Sequence, residues 1–226
     1  MKKFNINFYT TCAILAGVSF LTQTSVADPR SEYWHQRVTL FNLLPVEPGD
    51  IVFLGNSITD GGEFSELFDN PSIKNRGISS DVISGVAERL HQVTNYHPSK
   101  IFLLIGINDV SHNLSVDRLA TDYENLVKRI RTESPESKLY IQSLMPINND
   151  FGRYKNLKGK EETVKQLNER LKIIAESNGA TYVDLWPALA DKKTGKLRRD
   201  FTNDGLHLLG KGYDAWADAI RHLVEE

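Results

Sequence analysis

The chain has 226 residues, 27 of them basic and 29 acidic, for a net charge of −2 at neutral pH. Hydrophobic residues make up 40% and charged residues 25%, the make-up of a folded globular chain rather than a disordered one. No basic excess marks it as a nucleic-acid binder, and the length suits a single α/β domain.

Lys2 and Lys3 precede an apolar stretch from about Cys12 to Leu21. Ser25-Val26-Ala27 then offers small residues at the two positions a signal peptidase reads. The apolar run falls short of the ~20 residues that span a bilayer. The sequence therefore predicts a signal peptide over 1–27, cleaved after Ala27, and one domain over 28–226. The product would be periplasmic or secreted, with no stable membrane insertion after cleavage; a retained anchor is the alternative. Cys12 is the only cysteine, and Tyr9, Thr10 and Thr11 before it do not form the approach to a lipid-modified cysteine. The mature chain would hold no cysteine, which excludes disulfides, a thiol nucleophile and cysteine metal ligands together.

Ser31 to Leu44 predicts a helix, with Ser31 as N-cap and Trp34, Val38, Phe41 and Leu44 near helical spacing, ended by Pro45. Ile51 to Leu54 is a short apolar run punctuated by Pro48-Gly49 and broken at Gly55, which reads as a strand buried on both faces. A helix is expected from there through Phe64, Leu67 and Phe68. A short strand, Ser72 to Arg76, follows, then a helix over Asp81–Gln92 with Val82, Val86 and Leu90 on one face.

Ile101 to Ile105 is the most apolar run and predicts a central strand, again broken at a glycine, Gly106. Leu119, Tyr123, Leu126, Val127 and Ile130 mark an amphipathic helix. A strand over Leu139–Leu144 ends at Pro146. Residues 147–160 form a long polar connection, of a length that is often functional in compact domains. Val164, Leu167, Leu171 and Ile174 mark another helix, closed by Gly179. Ala180 to Leu185 is the last strand, Asp191 to Arg199 a polar basic stretch, and Tyr213, Trp216, Ile220 and Leu223 a closing helix. Strands alternating with helices predict a parallel sheet with helices on both faces.

Three predicted strands end in polar, glycine-bearing loops: Gly55-Asn56-Ser57, Asn75-Arg76-Gly77 and Gly106-Ile107-Asn108-Asp109. In a parallel sheet those ends share one edge, where ligands bind. Asn203-Asp204-Gly205-Leu206-His207 would join them if the closing helix returns there. A serine hydroxyl needs an adjacent base, which His207 can supply, and Asp204 is close enough in sequence to orient that base. Acyl transfer also needs donors for a developing oxyanion. The backbone N–H groups of Ser57 and Gly77 and the Asn108 amide are candidates.

Each residue also has a purely structural reading. Ser57 could be a turn residue, His207 a cap of the closing helix, Asp204 its N-cap, Gly77 a backbone requirement and Asn108 an Asx-turn residue. For Asp109 the structural reading is preferred. His35, His91, His97 and His222 read as surface or helix-face residues, and His112 as a residue that could rim the site. Carboxylates and histidines show no metal-ligand spacing.

The four blocks resemble those of the SGNH hydrolases, the GDSL-like lipases and acylhydrolases. Gly55-Asn56-Ser57-Ile58, Gly77, Gly106-Ile107-Asn108-Asp109 and Asp204-Gly205-Leu206-His207 occur in the family's order. The resemblance implies a three-layer α/β/α, flavodoxin-like fold with about five strands, ester hydrolysis, and no metal or organic cofactor. It implies Ser57 as nucleophile, His207 as base, Asp204 as acid, and Ser57, Gly77 and Asn108 as the oxyanion hole. One position departs: Asn56 stands where the family usually has Asp, keeping size and hydrogen bonding but losing charge. The Gly-Asn-Ser-Ile-Thr form is similar to a bacterial branch that includes acetylhydrolases and carbohydrate O-acetylesterases.

These readings together predict a serine esterase acting on a small-molecule or glycan ester, with acetyl esters of sugars or sialic acids favoured by the compact, lidless chain. A lysophospholipase or thioesterase for longer acyl chains, and an inactive carbohydrate-binding protein on the same scaffold, are the alternatives. Asn56, Phe151, Arg153 and Tyr154 are expected at the substrate rim.

Overall fold

The computed structural model describes residues 30–226. The expected signal peptide lies outside the described residues, apart from which the elements follow in the predicted order. Helix α1 (Glu32–Leu43) precedes β1 (Ile51–Gly55), and two single-turn helices, α2 (Ser57–Asp60) and α3 (Phe64–Leu67), lead to β2 (Ile73–Gly77). Then come α4 (Ile83–Glu88), α5 (His91–Thr94), β3 (Lys100–Leu104), α6 (Ile107–Ser111), α7 (Val116–Glu133) and β4 (Lys138–Gln142). The chain closes with α8 (Glu161–Ser177), β5 (Thr181–Val183), α9 (Trp186–Leu189) and α10 (Gly210–Glu225).

The five strands form one sheet in the order β2-β1-β3-β4-β5, every pair parallel. The order reverses between β1 and β3. That is the switch point at which open α/β sheets form a crevice beyond the strand ends. Helices flank the sheet, giving the predicted α/β architecture.

Alternation along the strands splits the core in two. Phe53, Phe102 and Tyr140 are in register across β1, β3 and β4 and stack ring on ring at 4.9 and 4.5 Å. Trp216 of α10 closes this layer edge-on against Phe64 at 4.9 Å, its Nε1–H donating to buried Gln142 Oε1 at 2.7 Å. The apolar stripe of α7 (Leu119, Tyr123, Leu126, Val127, Ile130) is buried as its spacing predicts. It packs against α4 and α8.

Four local departures have physical causes. The helix expected after Ser57 is broken at Gly61-Gly62 into α2 and α3. The helix expected over Asp81–Gln92 is two pieces. Its start is lost because Val82 is extended (φ −123°, ψ 170°), and it breaks after Glu88, where Gln92 N–H bonds to the Arg89 carbonyl, three residues back. The 147–160 connection is folded into two 3-10 turns, at Asn149–Phe151 and Lys155–Leu157. In α1, Ser31 caps as predicted and Trp34 and Phe41 are buried, but Leu44 is exposed.

Candidate active site

The site begins at the end of β1. Gly55 is in register with Leu104 of β3, and a Cβ added there would fall 2.2 Å from Thr59 Oγ1 and 2.4 Å from the Leu104 carbonyl oxygen. Only glycine lets the chain turn this tightly between two strands. Asn56 then caps α2, its Oδ1 accepting the Ile58 N–H at 3.1 Å. Ser57 is thereby set as the first residue of a helical turn, its side chain at the mouth of a cleft of about 530 Å³.

The Asp204-Gly205-Leu206-His207 block approaches from the other side. Asp204 Oδ1 accepts the N–H groups of Leu206 at 2.9 Å and His207 at 2.8 Å, so the loop is wound about its own carboxylate. Gly205 sits at φ +90°, and a Cβ would meet the Asn148 carbonyl oxygen at 2.2 Å. The Gly205 carbonyl accepts the Asn148 N–H at 2.8 Å, which ties the block to the 147–160 connection. Asp204 Oδ2 is left for the ring: His207 Nδ1 lies 2.8 Å away, and His207 Nε2 lies 2.9 Å from Ser57 Oγ. Helix α10 starts only at Gly210, so neither Asp204 nor His207 caps it.

Burial works to raise the Asp204 carboxyl, but hydrogen bonds from the His207 ring, the two N–H groups and the Tyr154 hydroxyl outweigh it and bring it down to about 2. The group is a carboxylate throughout the neutral range. A hydroxyl, an imidazole and a carboxylate in this chain can move a proton from Ser57 to His207 while Asp204 faces the resulting cation.

Two further loops bring polar residues to the same cleft. Asn108 of α6 donates one amide hydrogen to the Asp81 carbonyl at 2.8 Å, leaving the second for the cleft it lines. Gly77 is a correction. Its N–H donates to Asn75 Oδ1 at 2.8 Å, and it does not line the cleft. An added Cβ would fall 2.1 Å from the Asp60 nitrogen, so Gly77 is glycine because α2 packs directly on it. The residue that does line the cleft is three positions on, Ser80. Ile78 to Asp81 form a turn closed by Asp81 N–H to the Ile78 carbonyl at 3.1 Å, with Ser80 at φ +65° in its third position. Positive φ there defines a type II turn, where glycine is usual. Among the described residues no hydrogen bond engages the N–H of Ser80 or of Ser57. Ser80 was missed in the sequence; the Ser-Ser-Asp run after Gly77 is its only signal, that of a turn.

Beneath this turn lies a buried ion pair. Arg89 Nε meets Asp81 Oδ2 at 2.9 Å, and both side chains have zero exposure. Arg89 Nη2 also donates to the Gly55 carbonyl at 3.1 Å, and Trp34 Nε1–H to Asp81 Oδ1 at 3.2 Å. Burial pulls the guanidinium down and the carboxyl up, and the pairing opposes both. One residue after Asn108, Asp109 accepts the Ile83 N–H at 3.2 Å on each oxygen, and burial raises it to about 6.

Of the residues expected at the rim, Arg153 and Tyr154 line the cleft. Asn56 does not: it is 1% exposed and serves as the cap of α2. Phe151 lies below the rim, against Gly205 and under the Arg199 guanidinium. His112 ends α6 and faces a different groove, with Asp109 and Arg118. Among the described residues no group of three or more His, Asp or Glu side chains is placed to hold a metal ion. No described helix is long and apolar enough to cross a membrane.

A sequence model of the GDSL-like lipase/acylhydrolase family matches residues 53–215, a stretch that includes every residue of this cleft discussed above. The chain belongs to that family. It is accordingly a carboxylic ester hydrolase. Relatives include the platelet-activating factor acetylhydrolase IB subunit alpha2 of rat, 26% identical over 217 residues, covering 92% of this chain and 90% of that protein. A GDSL-like lipase from Bacteroides thetaiotaomicron superposes with a TM-score of 0.74 at 23% identity, over 85% of this chain and 97% of that one. An acetylxylan esterase from Geobacillus stearothermophilus superposes with a TM-score of 0.62 at 19% identity, over 78% and 94%.

Proposed function

We propose that this GDSL-family protein is a serine esterase for short-acyl, chiefly acetyl, esters of carbohydrates. The observation that carries the proposal is the Ser57 Oγ–His207 Nε2 separation of 2.9 Å, continued to Asp204 at 2.8 Å. Ser57 attacks the acyl carbonyl as His207 takes its proton, and His207 returns that proton to the departing alcohol. Water activated by His207 then hydrolyses the acyl-enzyme. Asp204 holds the imidazole and faces the imidazolium. The N–H groups of Ser57 and Ser80 and the free Asn108 amide hydrogen stabilise the oxyanion.

The lining supports a polar alcohol. Ser79, Ser111, Asn156, Arg153 and Lys155 face the cleft, against only two leucines, Leu157 and Leu206. An acetyl group also appears in the names of the rat relative, an acetylhydrolase, and of the Geobacillus structure, an acetylxylan esterase. Arg153 and Lys155 favour, within this reading, an alcohol that carries a carboxylate or phosphate. We propose export as well, supported by the character of residues 1–27; sequencing the N-terminus of the cell-made protein tests it, with Asp28 expected first.

Hydrolysis of p-nitrophenyl esters from acetate to decanoate, by the wild type and Ser57→Ala, tests the activity. Acetate preference lost in Ser57→Ala is expected, followed by deacetylation of acetylated sugars and sialic acids. A preference for octanoate or longer indicates a lipid substrate. An inert wild type that a fluorophosphonate probe fails to label overturns the proposal in favour of a carbohydrate-binding scaffold.

A further inference from the structure

Tyr154 is not simply part of the cleft wall. Its hydroxyl lies 2.9 Å from Asp204 Oδ2 and 3.0 Å from His207 Nδ1, so it closes a triangle with the two atoms whose own contact is 2.8 Å. A phenol has one hydrogen and two lone pairs. Donating to the carboxylate leaves a lone pair toward the imidazole Nδ1–H, which the hydroxyl then shares with Asp204 Oδ2. The ring stands edge to face with His207 at a centroid distance of 5.7 Å and 66°. Burial and the neighbouring carboxylate raise the phenol to about 12, so it keeps its hydrogen across the working pH range.

Every other contact on Asp204 comes from its own loop: Thr202 Oγ1 and the N–H groups of Leu206 and His207 bind Oδ1. They leave Oδ2 with the His207 ring alone. The ring is the group to be positioned, so it cannot also be the fixed point on Oδ2. Tyr154 supplies a second contact on Oδ2 from a separate segment, between the two 3-10 turns of the 147–160 connection. The same segment brings Arg153 and Lys155 to the cleft, and they are its charged side chains facing the site.

We propose that Tyr154 is a positioning residue for catalysis, which locks Asp204 Oδ2 and His207 Nδ1 in the register that aims Nε2 at Ser57. This rests on the assignment of Ser57, His207 and Asp204 made above. Tyr154 acts on both acylation and deacylation, because His207 serves both, and it acts through Asp204.

Tyr154→Phe, which keeps the ring and removes one oxygen, is compared with the wild type on p-nitrophenyl acetate. A fall in kcat of about 10- to 150-fold is expected, the range of a lost hydrogen bond to a charged group, with KM within about twofold. The downfield proton resonance of the His207–Asp204 hydrogen bond should shift or broaden in the same variant. In a double-mutant cycle, Tyr154→Phe should cost little further activity on an Asp204→Asn background. The proposal is overturned if Tyr154→Phe raises KM with kcat and the resonance unchanged, or if its loss adds in full to that of Asp204→Asn. Ser57→Ala keeps the two levels apart: full activity there removes the triad reading itself, whereas an inactive Ser57→Ala beside a wild-type-like Tyr154→Phe removes only the role of Tyr154.

Discussion

Arg89 reaches from the break between α4 and α5 to two points at once, Asp81 Oδ2 at 2.9 Å and the Gly55 carbonyl at 3.1 Å. Gly55 ends the strand that delivers Ser57, and Asp81 ends the turn that carries Ser80 and anchors Asn108. One buried cation therefore braces the turn that carries Ser57 against the loops that carry Ser80 and Asn108. Arg89→Met should destabilise the fold by about 3–5 kcal/mol, because it strands a buried carboxylate. Arg89→Met with Asp81→Asn should recover much of that stability in urea unfolding, but not the activity.

Asn108→Ala should lower kcat by about 100- to 1000-fold with little change in KM, the effect of losing one oxyanion donor. Steady-state kinetics on p-nitrophenyl acetate measures the split. Ser80→Gly keeps the N–H and frees the residue from φ +65°. Relief of about 1–2 kcal/mol, less the entropy that glycine adds to the unfolded chain, should leave a small gain in stability and an unchanged kcat.

Asp204→Asn should cost about 1000-fold or more in kcat, because the amide favours the wrong ring tautomer of His207. Circular dichroism and thermal melting should remain close to wild type, since an amide oxygen can still accept the Leu206 and His207 N–H groups.

Asp109 gives a stability that depends on pH. Its folded value of about 6 lies above its ordinary 3.8, because burial outweighs the two contacts from Ile83. An acid raised on folding binds more protons folded than unfolded between those values. Its ionisation therefore costs stability above pH 6, and the cost falls away as the pH drops toward 4. Asp109→Asn should be more stable than wild type by about 1–3 kcal/mol at pH 8, with the difference shrinking toward zero near pH 4 in denaturant titrations.

Much of the site could be read from residue order because its parts announce themselves locally. Apolar runs that stop at Gly55 and Gly106 mark strand ends, and strand ends in a parallel sheet must share an edge. What could not be read depends on contacts across the chain. Nothing in a serine writes a positive φ, so the sequence points to Gly77, whose real constraint is the backbone of Asp60, and not to Ser80. Val82, Val86 and Leu90 do fit one helix; the break falls at Arg89, whose side chain turns inward to Asp81. Tyr154 could be placed on a polar loop, but its bond to Asp204, 50 residues on, is visible only in three dimensions.

Ser57 and His207 are 150 residues apart, yet meet at 2.9 Å. The first belongs to a strand laid down early in the chain and the second to the loop before the last helix. In the proposed mechanism, a ribosome-bound or partly folded chain thus has its serine hydroxyl but no base to activate it. Ester cleavage becomes a report on complete folding: a sample's rate counts molecules whose last helix has docked, and a destabilising change anywhere in the sheet should silence chemistry before it removes secondary structure.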